Sequence, residues 1–326
     1  MTVAIPLVEI WRGPFLESVH RGHAVVCDAS GQIVQAWGDP TAIVLPRSSA
    51  KMIQALPLIE SGAADAFSLT SQQLALSCAS HEGAPLHVTA VNRWLADLGL
   101  DDDALRCGVQ TTRDMELHAQ MIRDGAPTCQ VHNNCSGKHA GFLTLSKHLG
   151  AGSEYIDPDH PVQRAGKEAW ERMTQETVAG FGIDGCSAPN FATSLHGVAR
   201  AMAQFAAAAE GSAAHKLTSA MMAHPELVAG EGRACTNLMR ALGGKGAVKT
   251  GAEGFFVAIL PGLKLGVALK IEDGATRAAE CAIAAILVKL GVLAGDHTET
   301  LKYLNADITN WRDVHTGWQR ASPALC

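Results

Sequence analysis

The sequence has no long hydrophobic run. Its longest, Cys281 to Val288, falls well short of the roughly 20 residues that a bilayer requires and lies inside an amphipathic pattern, so no membrane partner is expected. The opening stretch, MTVAIPLVEIWRGPF, has no basic cluster before its short apolar run, which Pro6 and Glu9 interrupt, and a signal peptide is not expected. Positive charge is not in excess either. With 26 Lys and Arg against 32 Asp and Glu the formal charge is −6, which argues against the cationic stripe that a nucleic acid demands. No Pro-, Ser- or Gly-rich linker, internal repeat or low-complexity stretch divides the chain, so residues 1–326 read as a single domain. Nine cysteines, an odd number without a secretion signal, predict reduced thiols in a cytoplasmic protein. A cysteine with a function here would be a metal ligand or a nucleophile.

Secondary structure follows from periodicity. Residues 22–38, GHAVVCDASGQIVQAWG, set two apolar runs around a turn and predict a β-hairpin. A second β region covers residues 249–271, where FFVAIL and LGVALKI flank Pro261-Gly262. Helical spacing is expected over residues 48–60, 71–80, 86–98, 137–148, 162–176, 194–209, 226–242 and 275–293. Strands from both ends of the chain around a block of helices predict an α/β (α+β) fold: one antiparallel sheet from N- and C-terminal segments, with a large helical insertion.

The residues able to do chemistry fall in four segments. Arg47-Ser48-Ser49-Ala50-Lys51 precedes an apolar helical stretch, and its S-x-x-K spacing puts the amine of Lys51 within reach of the Ser48 hydroxyl on a helix. A serine needs a base to become a nucleophile, and a lysine serves when desolvation or a second cation lowers its pKa. A serine cap beside a solvated lysine is the plain alternative. Lys249-Thr250-Gly251, just before an apolar strand, is the K-T-G box that faces the nucleophile in serine acyl-enzymes built on S-x-x-K. In Cys78-Ala79-Ser80-His81-Glu82, at the end of an apolar helix, Ser80 is the residue of interest, because the neighbouring His81 side chain diverges from it. Finally, His132-Asn133-Asn134-Cys135-Ser136-Gly137-Lys138-His139 opens a helix, and Asp184-Gly185-Cys186 follows far downstream. Thiolates at Cys135 and Cys186 with a nearby nitrogen could hold zinc, although the spacing matches no usual structural site; two buried free cysteines is the other reading.

Taken in order, RSSAK, CASHEG, NNCSGKHAG, IDGC and HPELVAGEGR resemble the rhizobial-type L-asparaginases, also called thermolabile or class 3 asparaginases, over roughly residues 20–275. The resemblance implies a fold like that of serine β-lactamases and glutaminases, a homodimer, and hydrolysis of L-asparagine to L-aspartate and ammonia. It also implies two Ser-Lys tandems, Ser48 with Lys51 and Ser80 with Lys249. It further implies a zinc site at Cys135, Lys138 and Cys186, with Arg47, Asn133, Asp184 and His139 placed beside these groups to contact substrate. Competing expectations are a glutaminase or other Ser-Lys hydrolase of the same fold, or a non-catalytic amino-acid or zinc sensor.

Overall fold

The computed structural model describes residues 3–325. Its contacts group the chain into two compact units: one holds the residues up to Ser49, Thr193–Ala207 and the residues from Asn237 onward, and the other holds Ala50–Ala192 and Ala208–Thr236. Among the described residues, no helix is long and apolar enough to cross a membrane.

The first unit is built on an antiparallel eight-stranded sheet. Its order is Asp307–Thr309, His315–Ala321, Ile5–Arg12, Phe15–Asp28, Leu265–Ile271, Phe255–Leu260 and Ala247–Gly251. The long strand Phe15–Asp28 changes partner along one edge. Its residues up to Gly22 pair with Ile5–Arg12, and Ala24 to Cys27 pair with the eighth strand, Ile33–Trp37. N- and C-terminal segments thus share one sheet, as their apolar runs predict. Phe255–Leu260 is buried at every position, the pattern of a central strand rather than a half-exposed one. Helices Leu195–Ala206 and Thr276–Lys289 pack on this sheet. The first of them presses backbone on backbone: a Cβ at Gly266 would stand 2.2 Å from the Ala203 nitrogen and 2.3 Å from the Ala199 oxygen.

The second unit is helical around one element. Helix Ser136–His148 is buried at every residue from Ser136 to Ser146, so it has a neighbour on every side. Those neighbours include Ser71–Ser77, Pro85–Asp97 and Pro161–Thr174. Ser71–Ser77 starts with a capping box, in which Thr70 accepts from the Gln73 amide while the Gln73 side chain accepts from Thr70. A short hairpin, Gly180–Ile183 with Pro189 to Ala192, completes the unit.

Two expected helices are broken. Instead of one helix over residues 48–60, Arg47–Ala50 is a 3₁₀ turn, followed by Lys51–Gln54 and Leu56–Glu60. Pro57 has no N–H to continue the ladder and disfavours helical geometry in the residue before it. The expected helix over residues 226–242 is Pro225–Val228 and Ala234–Leu242, separated by a turn in which Gly230 and Gly232 adopt φ of 134° and 75°. Helices Met115–Asp124 and Ala213–Ala223 and the terminal strands Ile5–Arg12 and His315–Ala321 were not expected from periodicity.

The close approach at Gly266 yields a stability prediction. Gly266→Ala must push the helix off the sheet and should cost at least about 2 kcal/mol, the range of overpacked cores. Gly262→Ala, where nothing lies within 4 Å of the new Cβ, should be nearly silent. Urea unfolding of both variants checks this, and equal midpoints would contradict the packing described.

Candidate active site

Arg47, Ser48 and Lys249 lie in the first unit. The turn holding Ser48 is entered through Arg47 at φ 52°, a left-handed conformation that is uncommon outside glycine and is often found at functional sites. Strand Ala247–Gly251 lies directly against this turn. A Cβ at Gly251 would meet the Pro46 carbonyl oxygen at 2.5 Å and the Ser49 hydroxyl at 2.8 Å, which gives the glycine of Lys249-Thr250-Gly251 a steric reason. The Ser49 hydroxyl donates to the Lys249 carbonyl at 3.1 Å. Lys249 itself is fully buried, its ammonium 2.8 Å from the Thr250 carbonyl.

Lys51, Ser80, Asn133, Cys135, Lys138, His139, Asp184 and Cys186 lie in the second unit. Lys51 is buried, and its Nζ donates to the Ser80 hydroxyl at 2.9 Å and to the Ala79 carbonyl. The structure therefore joins Lys51 to Ser80, a member of the other expected tandem. Ser80 sits in a loop held from three sides. The broken helix frees the Val228 and Ala229 carbonyls, which accept from the Ser80 and Glu82 amides at 2.9 and 3.0 Å. The His81 amide donates to Asn134 at 3.1 Å, tying Ser80 to the segment that carries Cys135. Gly83, at φ 73°, closes the loop where a Cβ would strike the His132 carbonyl at 2.6 Å.

His81 adds a fourth tie. Its Nδ1 accepts from the Gly83 amide at 3.1 Å, so the hydrogen is on Nε2, which donates to Ser136 Oγ at 3.0 Å; that hydroxyl donates in turn to the Val131 carbonyl at 2.9 Å. The side chain that sequence reasoning set aside thus holds the Ser80 loop to the Cys135 segment.

Cys135, Lys138 and Cys186 converge in this unit. Cys135 caps the buried helix, Lys138 lies in its first turn, and Cys186 stands at the tip of the hairpin that follows Gly180–Ile183. Lys138 Nζ donates to the Cys186 sulfur at 3.1 Å. A hydrogen bond from the Cys135 thiol, then the Lys138 ammonium and His139, hold the Cys186 pKa well below the ordinary thiol range despite burial. The same hydrogen bond and burial push the Cys135 thiol up. Burial alone would lower Lys138, but the two sulfurs outweigh it and its pKa is raised. These shifts favour a Cys186 thiolate beside a Lys138 ammonium. Lys51 also acts electrostatically on Cys135, so the Lys51–Ser80 pair and the sulfur cluster share one environment.

The other expected contacts are placed as follows. Asn133 is engaged within the protein: its amide hydrogens go to the Cys107 and Gly108 carbonyls, both at 2.9 Å, and its oxygen accepts from the Cys135 amide at 2.9 Å. Asp184 turns the hairpin by accepting from the Gly185 amide at 2.7 Å, and its charge helps raise Lys138. His139 is completely buried, and desolvation lowers its pKa to about 4, so it is neutral. Its Nδ1 meets the Tyr155 hydroxyl at 2.9 Å, whereas its Nε2, near the Cys186 sulfur, makes no regular hydrogen bond among the described residues. Tyr155 escaped sequence reasoning. The only signals were its rarity, since the chain has two tyrosines, and its place shortly after the helix it packs on.

The L-asparaginase II family matches residues 8–321, and the chain belongs to that family. It is accordingly an enzyme, an asparaginase-type amidohydrolase acting on a small molecule. Among solved structures it is similar to a β-lactamase from Mycobacterium bovis, with 13% identity over 82% of this chain and 94% of that one and a TM-score of 0.43. It is also similar to Mglu in its tris and glutamate form, with 12% identity over 90% of this chain and 65% of that one and a TM-score of 0.40. No curated protein matches the chain.

The His81 tie can be tested away from the reactive groups. Ser136→Ala leaves the buried Nε2–H of His81 without its acceptor, a loss of about 1–3 kcal/mol. A change in unfolding free energy below about 0.5 kcal/mol, the level of an ordinary surface substitution, would show that the bond holds nothing.

Proposed function

We propose that the enzyme hydrolyses L-asparagine to L-aspartate and ammonia through an acyl-enzyme on Ser48. The observation that carries this reading is the buried Lys51 amine hydrogen-bonded to Ser80 beside the sulfur cluster, in a member of the asparaginase family. Ser48 Oγ attacks the side-chain amide carbon while Lys51, in its neutral form, takes the hydroxyl proton. The tetrahedral intermediate collapses as the C–N bond breaks and a proton returns to the nitrogen, so that ammonia leaves and a β-aspartyl ester remains. Water then adds to the ester, Lys51 again accepts the proton, and aspartate is released as Ser48 regains its hydrogen. Splitting one amide hydrolysis into two steps lowers the highest barrier. Ser80, already on Lys51, relays protons toward the leaving nitrogen.

We also propose that Cys135, Lys138 and Cys186 hold zinc. Among the described residues no three His, Cys, Asp or Glu side chains cluster to hold a metal, and here the third donor is an amine. The donor chemistry fits: two soft sulfurs and a nitrogen are already gathered and buried, and the surroundings of Cys186 favour its thiolate. When bound, the metal supplies positive charge that neutralises the thiolates and orients substrate. Asp184 and Arg47 complete this reading as contacts for the amino acid's charged groups.

A second reading is favoured by the same hydrogen bond: Lys51 lies on Ser80, which would make Ser80 the acylated residue. Two variants separate them. Ser48→Ala should lower ammonia release from asparagine by about three orders of magnitude or more, the loss expected of a nucleophile, and Ser80→Ala by less. Acyl-enzyme trapped on Ser80, or a tenth of the rate surviving in Ser48→Ala, would reverse the assignment.

Zinc binding has its own outcome. Because Lys138 must lose a proton to ligate and its pKa is raised, metal affinity should fall as pH falls. Cys135→Ser and Cys186→Ser should lose zinc and raise KM more steeply than they lower kcat, if the metal orients substrate rather than activating the carbonyl. Metal analysis paired with steady-state kinetics decides this; metal-free variants with unchanged KM would rule the zinc role out.

A further inference from the structure

His139 follows Lys138 on the first turn of the buried helix, and its Nε2 is the one nitrogen of the ring that makes no regular hydrogen bond among the described residues. Its hydrogen-bonding character is fixed from the other side of the ring. The Arg106 backbone N–H, which can only donate, donates to Tyr155 Oη at 2.7 Å. That oxygen lies 2.9 Å from His139 Nδ1, and Tyr155 is completely buried with no other side-chain partner. If Nδ1 carried the hydrogen, the oxygen would accept twice and the phenol hydrogen would be stranded in the core. If the phenol donates to Nδ1, every group is satisfied. The pair is rigid: the Gln163 side-chain amide donates to the Tyr155 carbonyl at 2.7 Å, and the two rings meet edge to face with centroids 5.4 Å apart.

We infer that Tyr155 is a positioning residue that, by donating to Nδ1, locks His139 in the tautomer whose Nε2–H faces the cysteine–lysine cluster as a hydrogen-bond donor for an oxygen of the amino-acid amide substrate. This rests on the amidase reading of the site. A protonated Nε2 has no lone pair for a metal, so His139 is a substrate contact and not a fourth ligand. It lies close enough to Cys186 to favour the thiolate, and an arriving substrate oxygen competes with that sulfur for the Nε2–H. Support of this kind, one shell behind a contacting histidine, fixes ring orientation as well as tautomer.

The test uses the full-length enzyme labelled with ¹⁵N and two-bond nitrogen–proton correlation spectra, with the His139 signals assigned through their loss in His139→Gln. In the wild-type protein the hydrogen should reside on Nε2. In Tyr155→Phe, which keeps the ring and removes the hydroxyl, both tautomers should appear, and KM for asparagine should rise about tenfold with little change in kcat. In a His139→Gln background the same substitution should change KM less than about twofold, because an amide presents an N–H whether or not the phenol is there. A wild-type hydrogen on Nδ1, an unchanged KM in Tyr155→Phe, or the same effect in both backgrounds would overturn the assignment. Should Ser48→Ala and Ser80→Ala both retain full activity, the acyl-enzyme reading fails, while the tautomer measurement still decides the role of Tyr155.

Discussion

An ammonium taken out of water survives as a cation only beside an anion, and the second unit is arranged around that requirement at Lys138. With 3% of its surface exposed, the side chain depends on the Cys186 sulfur at 3.1 Å, so the hairpin tip must stay against the start of the buried helix. The dependence runs both ways. A thiolate in the same place would be as costly without Lys138, whose charge helps hold the Cys186 pKa down. A metal ion held by these three groups would take over the role of the proton they share.

Close backbone approach sets the remaining geometry, and glycine makes it possible. Gly137 lets the buried helix come against the Leu76 carbonyl, which a Cβ would meet at 2.6 Å, and so brings Cys135 and Lys138 to the end of helix Ser71–Ser77. Gly83 and Gly230 do the same for the Ser80 loop, the latter by leaving room for the Glu82 carboxylate, which a Cβ would meet at 2.3 Å. In the first unit Gly251 brings the Lys249 strand to the Ser48 turn. Motif glycines that look like loop punctuation in the sequence are here the places where two reactive segments touch.

Much of this was legible in the sequence, for local reasons. Helices such as Pro85–Asp97 and Ser136–His148 fall within a residue or so of their periodicity, because an apolar repeat over three turns has few other solutions. Ser48 and Lys51 are visible as a motif because they are three residues apart. The strand Ile5–Arg12 was hidden because Pro6 and Glu9 interrupt its apolar pattern; Glu9 is explained only by its partners, Arg320 across the sheet and Trp11 beside it. The break after Val228 was hidden because its cause is tertiary, the carbonyls it frees being taken by Ser80 and Glu82. No spacing rule links Cys135 to Cys186; only the family resemblance did.

Two buried histidines show how a fold separates a strut from a contact. Each follows a reactive residue directly, His81 after Ser80 and His139 after Lys138, and each has Nδ1 occupied by a fixed donor, the Gly83 amide or the Tyr155 hydroxyl. Both rings are thereby left with the hydrogen on Nε2. At His81 that hydrogen is taken by Ser136, whose own hydrogen is taken by Val131, so the chain of donors ends inside the protein and the ring serves to hold two loops together. At His139 it has no regular acceptor among the described residues, and only the Cys186 sulfur is known to stand near it. Since a buried donor without an acceptor is costly, the difference between two otherwise similar residues locates the point where the protein is incomplete without its ligand.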